Sequence, residues 1–113
     1  MKPETVLIRP GDPRAPEATA LLEASHALMQ SLFPPEANHY LSIDALCVPS
    51  ILFFVADLNG QTAGCAALAL KDGYGEVKSM FVDPAKRGAR IGSKLLDRLE
   101  SEARSRALPL LRL

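Results

Sequence analysis

Apolar and polar positions along the chain predict four strands in its first 82 residues. A short β-prone run covers 6–8, and longer apolar runs cover 51–56, 62–70 and 76–82. Runs of this length, bounded by turn residues, are typical of strands. Between the second and third runs, Asn59 and Gly60 form a strong signal for a tight hairpin turn. The pattern therefore predicts a strand and its returning neighbour in the middle of the chain.

Two further stretches carry apolar residues at helical spacing. The first ends at Pro34 and Pro35, because a residue before proline disfavours helical geometry. The second begins near residue 90 and runs to about residue 106. A short helix also fits 40–46, and the apolar run at 108–113 is most simply a final strand. The two apolar stripes consist of Leu21, Leu22, Ser25, Leu28, Met29 and Leu32, and of Ile91, Leu95, Leu96, Leu99, Ala103 and Ala107.

The order of these elements predicts the fold class. The predicted order is strand, helix, the short helix that fits 40–46, three strands, helix and strand. Such an order indicates an α/β or α+β domain with one sheet and flanking helices. The last two strands are joined through a helix, which favours parallel pairing and a right-handed connection there.

Length and composition narrow the class of protein. The chain has 113 residues, which suffices for one small domain. Its 48% hydrophobic and 23% charged residues match soluble globular proteins. With 13 basic and 13 acidic side chains the net charge is zero, which argues against a protein that coats nucleic acid or an anionic membrane. No apolar stretch approaches about 18 residues, so no membrane-spanning helix is expected.

The cysteines indicate whether the protein could hold a metal, and the first residues indicate where in the cell it is expected. Cys47 and Cys65 are too few for a cysteine-rich metal site, and no cluster of ligand residues has metal spacing. We therefore expect no metal. The first residues lack the apolar segment of a secretory signal, so a cytoplasmic location is expected.

The segment 80–96 carries the chemistry. A strand ends there, a short loop with glycine and basic residues follows, and a helix begins. The first amides of a helix have no partner within it, and they carry the positive end of the helix dipole. A phosphate binds well at such a point, above all where glycine lets it approach the backbone. The glycines are Gly88 and Gly92, and the basic residues are Lys86, Arg87, Arg90 and Lys94.

Two common phosphate-binding motifs do not fit this segment. The Walker pattern requires Gly-Lys followed by Ser or Thr, whereas the order here is Gly92, Ser93, Lys94. The dinucleotide pattern G-x-G-x-x-G is absent as well, because three residues separate Gly88 from Gly92. ATP hydrolysis and NAD binding therefore lose support.

The segment resembles the acetyl-CoA signature of the GNAT superfamily of N-acetyltransferases. That signature is Arg/Gln-x-x-Gly-x-Gly/Ala, placed between a strand and a helix. Residues 87–92 read Arg-Gly-Ala-Arg-Ile-Gly, so Arg90 stands where the signature has its middle glycine. The hairpin at 56–64, the strand at 76–82 and the order of elements match too. The resemblance covers 51–113 well and 1–50 loosely.

The resemblance implies an acyl-CoA N-acyltransferase-like fold with a mixed, mostly antiparallel sheet. In that family the fold continues with a further helix and strands. We therefore expect 1–113 to be a single, truncated domain that lacks those C-terminal elements. An unpaired apolar strand at 108–113 favours a homodimer formed through that strand. A truncated product, or a variant whose partner supplies the remainder, is the alternative.

The resemblance also implies roles for individual residues. Backbone amides of the loop and helix start hold the CoA pyrophosphate, and the preceding strand pairs with the pantetheine arm. A carboxylate on that strand takes the proton of the acceptor amine, which makes Glu76 the catalytic candidate. His39 is a weaker candidate for contact with substrate. The candidate cofactor-binding residues are Met80, Phe81, Val82, Arg87, Gly88, Ala89, Arg90, Ile91, Gly92 and Ser93.

The function implied is transfer of an acetyl group from acetyl-CoA to a primary amine of a small molecule or protein, by direct attack. The partners are then acetyl-CoA and an amine acceptor, without nucleic acid or membrane. A catalytically weak acyl-CoA-binding or regulatory module is one alternative. A structural interaction domain with a basic loop is another.

Overall fold

The computed structural model describes residues 5–32, 42–86 and 90–111. Within these ranges the chain forms five strands, three α-helices and one short 3-10 turn. In chain order the elements are β1 (Val6–Pro10), α1 (Pro16–Leu32), α2 (Ile43–Leu46), β2 (Ile51–Leu58), β3 (Gln61–Lys71), β4 (Tyr74–Val82), the 3-10 turn (Pro84–Lys86), α3 (Ile91–Ser105) and β5 (Leu110–Leu111).

The strands form one sheet in the order β1-β2-β3-β4-β5. β1 to β4 pair antiparallel, and β5 pairs parallel to β4 after the α3 crossover. Asn59 and Gly60 connect β2 to β3, both with positive φ, as expected for a two-residue hairpin turn. The mixed, mostly antiparallel sheet that the resemblance implies is therefore confirmed.

Helices cover both faces of the sheet. α1 and α2 pack on one face, and α3 packs on the other. Neighbouring strand residues alternate between the two faces, so the continuous apolar runs of β2 and β3 are buried on both sides. The α1-side core contains Leu21, Leu22, Leu46, Phe53, Val55, Cys65 and Phe81, and the α3-side core contains Phe54, Ala56, Leu68, Ile91, Leu95, Leu99 and Ala103.

Two glycines of the sheet let α3 lie close to it. A β-carbon on Gly64 would come within 3.1 Å of the Ile91 side chain and 3.3 Å of Leu95. One on Gly75 would lie 3.6 Å from the β-carbon of Ala103. The helix therefore packs against the sheet at both of its ends, and its first turn lies beside the C-terminal end of β4.

β1 to β4 each extend beyond the apolar runs that predicted them. β1 extends through Pro10, and an edge strand tolerates this proline because one side of its backbone needs no partner. Of the expected final strand at 108–113, the described pairing covers Leu110 and Leu111. Of the expected helix at 40–46, the described part is Ile43–Leu46. None of the described helices has the length and apolar character needed to cross a membrane.

Candidate functional site

The first turn of α3 offers three backbone amides without a helical partner. The first intrahelical bond runs from the Lys94 amide to the Arg90 carbonyl, at 3.0 Å, so the amides of Ile91, Gly92 and Ser93 precede it. Arg90 is the N-cap residue, and its side chain makes no capping hydrogen bond. Three donors at the positive end of a helix dipole remain available for an anion.

Arg90 holds a left-handed backbone conformation, with φ 59° and ψ 32°. This conformation costs a residue with a β-carbon about 1–2 kcal/mol, whereas glycine adopts it freely. The structure thus gives a physical reason for a glycine at the middle position of the signature. This chain keeps the backbone turn there and adds a guanidinium group at the mouth of the site.

A cleft of about 540 Å³ opens in front of this turn. Its walls come from the C-terminal end of β4, the first turn of α3 and the second half of α1. Seven of the ten candidate cofactor-binding residues line it, which brings together residues that the sequence named separately. The lining consists of Ser25, Leu28, Met29, Met80, Phe81, Val82, Arg90, Ile91, Gly92 and Ser93.

The remaining three candidates, Arg87, Gly88 and Ala89, lie outside the described residues, as does His39. The α1 wall of the cleft was missed by sequence reasoning. Ser25, Leu28 and Met29 belong to the stripe that predicts this helix, and such a stripe by itself indicates packing against a core. Leu28 is nevertheless 42% exposed, because the stripe continues past the edge of the core and into the cleft.

A β-bulge interrupts β4 just before the cleft. Cys65 pairs with Phe81 but Ala67 pairs with Lys78, so two β4 residues, Ser79 and Met80, stand opposite one residue of β3. Ser79 has φ 52°, and its buried hydroxyl oxygen has no hydrogen-bond partner among the described residues. A bulge re-aims the backbone, and strain of this kind concentrates at functional positions.

The outer edge of β4 is open next to the cleft. The Asp83 amide donates to the Ala63 carbonyl on the β3 side, at 2.8 Å, so by alternation the amide and carbonyl of Val82 face the opposite edge. On that edge the described part of β5 reaches only Gly75 and Glu76. Between Glu76 and the cleft, no other described strand pairs with this edge of β4.

Glu76 lies on β4 outside the lining of the cleft. It is 8% exposed, and its Oε1 forms an ion pair with Nζ of Lys78 at 3.0 Å. Val77 packs in the α3-side core, so Glu76 and Lys78 face the α1 side of the sheet, as Phe81 does. The candidate base therefore sits beyond the bulge, on the face that α1 shares with the cleft.

The turn between β4 and α3 is held by Asp83. Its carboxylate accepts a hydrogen bond from the Ala85 amide at 3.0 Å and pairs with Nζ of Lys86 at 3.2 Å. The hydrogen bond from the Ala85 amide is the larger cause, and the one from the Lys86 ammonium the second, that hold the pKa of Asp83 below its usual value. Lys86, one of the four basic residues near the phosphate-binding segment, is therefore paired within the turn.

Neither cysteine adds chemistry to the cleft. Cys65 is fully buried in the α1-side core, and burial raises the pKa of its thiol to about 12. Such a thiol is a poor nucleophile, because the reactive form is the thiolate. Within the described ranges no group of three His, Cys, Asp or Glu residues has a geometry suited to a metal ion.

Comparison with known proteins decides the family. A sequence profile described as an acetyltransferase (GNAT) domain matches residues 49–113, which is more than half of the chain. The chain belongs to the GNAT family of acetyltransferases. The matched region contains the hairpin, β4, the turn and α3, and so the whole strand-to-helix side of the cleft.

A relative supports the assignment. An "IAA acetyltransferase" of Azospirillum brasilense is 45% identical over 93 residues, which cover 80% of this chain and 61% of that protein. The chain thus spans about three-fifths of the length of that relative.

Solved structures agree. The Mycobacterium tuberculosis protein Rv2747, in complex with CoA and NLQ, shares 30% identity and a TM-score of 0.60, over 90% of this chain and 60% of its own. An aminoglycoside 6'-N-acetyltransferase complexed with coenzyme A has a TM-score of 0.68 at 20% identity, over 94% of this chain and 60% of its own, which supports the fold alone.

Proposed function

We propose that this chain binds acetyl-CoA in the cleft between α1, β4 and α3 and transfers the acetyl group to a primary amine. The observation that carries the proposal is the meeting of two features. The unpartnered amides of α3 lie where the outer edge of β4 is open, so one extended ligand with a phosphate at its end satisfies both. Acetyl-CoA has that shape, and the family uses it.

The phosphate end of the ligand belongs at the first turn of α3. The amides of Ile91, Gly92 and Ser93 donate to pyrophosphate oxygens there, and the helix dipole adds to the attraction. Gly92 has no side chain to hold a phosphate away from the backbone. The Arg90 guanidinium, which no described residue pairs, adds a positive charge at the rim.

The pantetheine arm carries two amide groups and pairs with the open edge of β4 as an added strand would. It has about twelve bonds between phosphate oxygen and sulfur, which equals the span of about four extended residues, or about 13 Å. Measured back along β4 from Val82, that length brings the thioester to the level of Lys78 and the bulge at Ser79. Backbone groups turned outward by the bulge are then available to the thioester oxygen.

Glu76 serves as the base in this proposal. It lies two residues beyond Lys78, about 7 Å along the strand and on the α1 face. From there its carboxylate takes a proton from the acceptor ammonium, directly or through one water. The free amine attacks the carbonyl carbon, the carbon–sulfur bond breaks, and the departing sulfur takes the second proton from nitrogen.

Two measurements on the wild-type chain and Glu76→Gln test the proposal. Acetyl-CoA at millimolar concentration should raise the melting temperature of both proteins, since the carboxylate does not touch the phosphate end. Thiol release with a panel of amines should be at least 100-fold slower in Glu76→Gln. Binding without thiol release in the wild type favours the alternative of an acyl-CoA-binding module. Absence of any thermal shift contradicts both.

A further inference from the structure

The Glu76–Lys78 pair places two opposite charges next to the apolar α1-side core. The two side chains are 10% and 21% exposed, and they lie beside Phe81 on the face that carries the core of α1. In the described part of the chain, neither has a second ion-pair partner. Mostly buried ion pairs contribute little net stability, because desolvation offsets their attraction. The pair is therefore better explained by what it binds than by what it stabilises.

We propose, on the basis of the proposed function, that the acceptor is an α-amino acid, in which one carbon carries both the amino group and the carboxylate. Lys78 binds the carboxylate of this acceptor, and Glu76 binds its ammonium group. The two ion pairs of the complex replace the one that the free protein makes within itself. Lys78 then acts as a specificity-determining residue.

Charge balance favours this class over a simple amine. The Glu76–Lys78 pair has no net charge, so an added monocation leaves one positive charge without a partner in a mostly buried place. An unpaired charge in such surroundings costs more than one that is paired and hydrogen-bonded. An ammonium carboxylate brings one charge of each sign and leaves none unpaired, so complementarity selects it.

The exchange of partners also prepares the base. In the free protein, Nζ of Lys78 lies 3.0 Å from Oε1 of Glu76. The Lys78 ammonium group therefore competes with the ammonium group of any acceptor for this oxygen. A ligand carboxylate draws Lys78 away, so that Glu76 receives the acceptor ammonium and takes one of its protons. The nitrogen then forms its bond to the acetyl carbon, and the carbon–sulfur bond breaks. The second proton passes to the thiolate, and Glu76 returns its proton to solvent.

The cleft indicates which amino acids fit. Its α1 wall presents Leu28 and Met29, and Phe81 faces it from the sheet. Burial of an apolar side chain there favours binding, because it removes apolar surface from water. Leu28, Met29 and Phe81 carry no charge with which a charged side chain of the ligand could pair. L-Leucine is therefore a suitable probe, and L-leucinamide is its match without the carboxylate.

The test is calorimetric titration of the CoA-loaded protein. The wild type should bind L-leucine at least tenfold more tightly than L-leucinamide. In Lys78→Gln this preference should vanish through weaker leucine binding, whereas Lys78→Arg should retain most of it. Arg104→Gln, which removes an exposed cation on α3 and so on the opposite face of the sheet, is the matched control and should behave as the wild type.

Prior titration with CoA separates the two proposals. Unchanged CoA affinity in Lys78→Gln shows that the variant folds and that the cofactor site is intact. Failure of the wild type to bind CoA contradicts the proposed function, and the inference falls with it. If CoA binds but leucine does not exceed leucinamide, or if Lys78→Gln keeps the preference, the inference alone is overturned.

Discussion

A β-carbon placed on Gly92 would lie 3.9 Å from Cγ2 of Val82, at ordinary contact distance. The two residues belong to the helix and the strand that form the cleft. Among the described residues, and apart from the chain neighbours and the backbone of α3 itself, no other heavy atom lies within 4 Å of that position. Side chains on a helix tilt toward its N-terminus, so this carbon would project toward the space in front of the first turn. Gly92 thus controls access to the amides without being required by the fold.

We expect size at position 92 to separate binding from stability. Gly92→Ala should raise the free energy of unfolding by up to about 1 kcal/mol, because alanine has the higher helix propensity, and should keep acetyl-CoA affinity within threefold. Gly92→Val should also fold but weaken acetyl-CoA at least tenfold. Calorimetric titration and chemical denaturation measure the two effects. Equal affinity of all three proteins would place the phosphates elsewhere.

Arg90 offers a matched pair of substitutions. Arg90→Gly relieves the left-handed backbone and should stabilise the protein by about 1 kcal/mol, which raises the melting temperature by about 4–8 °C for a chain of this size. Arg90→Ala keeps the backbone cost and should stay near the wild type. Both remove the guanidinium, so both should weaken CoA binding by a similar factor, and more strongly at low salt. A loss of affinity in only one of them would contradict a role for the charge.

Acid stability should depend on Asp57 of β2. The Arg9 guanidinium donates to its carboxylate at 2.7 Å, and Thr62 donates at 3.1 Å. The Arg9 hydrogen bond is the main cause that holds the pKa of Asp57 below its ordinary value of 3.8. A lowered pKa stabilises the fold above the unfolded value, and this contribution is lost as the pH falls through the folded pKa.

Asp57→Asn should therefore lower the free energy of unfolding at pH 7 by about 1 kcal/mol and flatten its decline between pH 5 and about pH 2. Urea denaturation across that range measures both effects. Asp97→Asn, which changes an exposed carboxylate on α3, is the control and should follow the wild-type curve. A pH profile unchanged in Asp57→Asn would show that other carboxylates govern the acid transition.

Thiol accessibility checks the core. Cys65 has no exposed surface and a pKa of about 12, so iodoacetamide at pH 8 should leave it unmodified in the folded protein. Cys47 is partly exposed and serves as the internal comparison. Peptide mass spectrometry should find Cys65 alkylated only after denaturant is added. Rapid labelling of Cys65 in buffer would mean that the α1-side core opens readily.

The sequence by itself determined most of the fold. Strand runs bounded by turn residues, and apolar stripes at helical spacing, follow from local backbone preferences and from the need to bury one face of each element. The sequence alone therefore predicted the order of elements, the Asn59–Gly60 hairpin and the parallel pairing of the last two strands. It also predicted the strand-to-helix junction that carries the family signature, and the match to that family confirms it. The cytoplasmic location and the homodimer stay predictions.

Only the tertiary structure decided the site's walls and its charges. α1 forms one side of the cleft because it crosses the sheet beside β4, and no local pattern distinguishes Leu28 in a cleft from a leucine in a core. The bulge at Ser79 depends on the register between two strands, which one strand's residues cannot specify. The pairing of Glu76 with Lys78 depends on burial of both side chains, and burial is a property of the folded chain rather than of the residues that it buries.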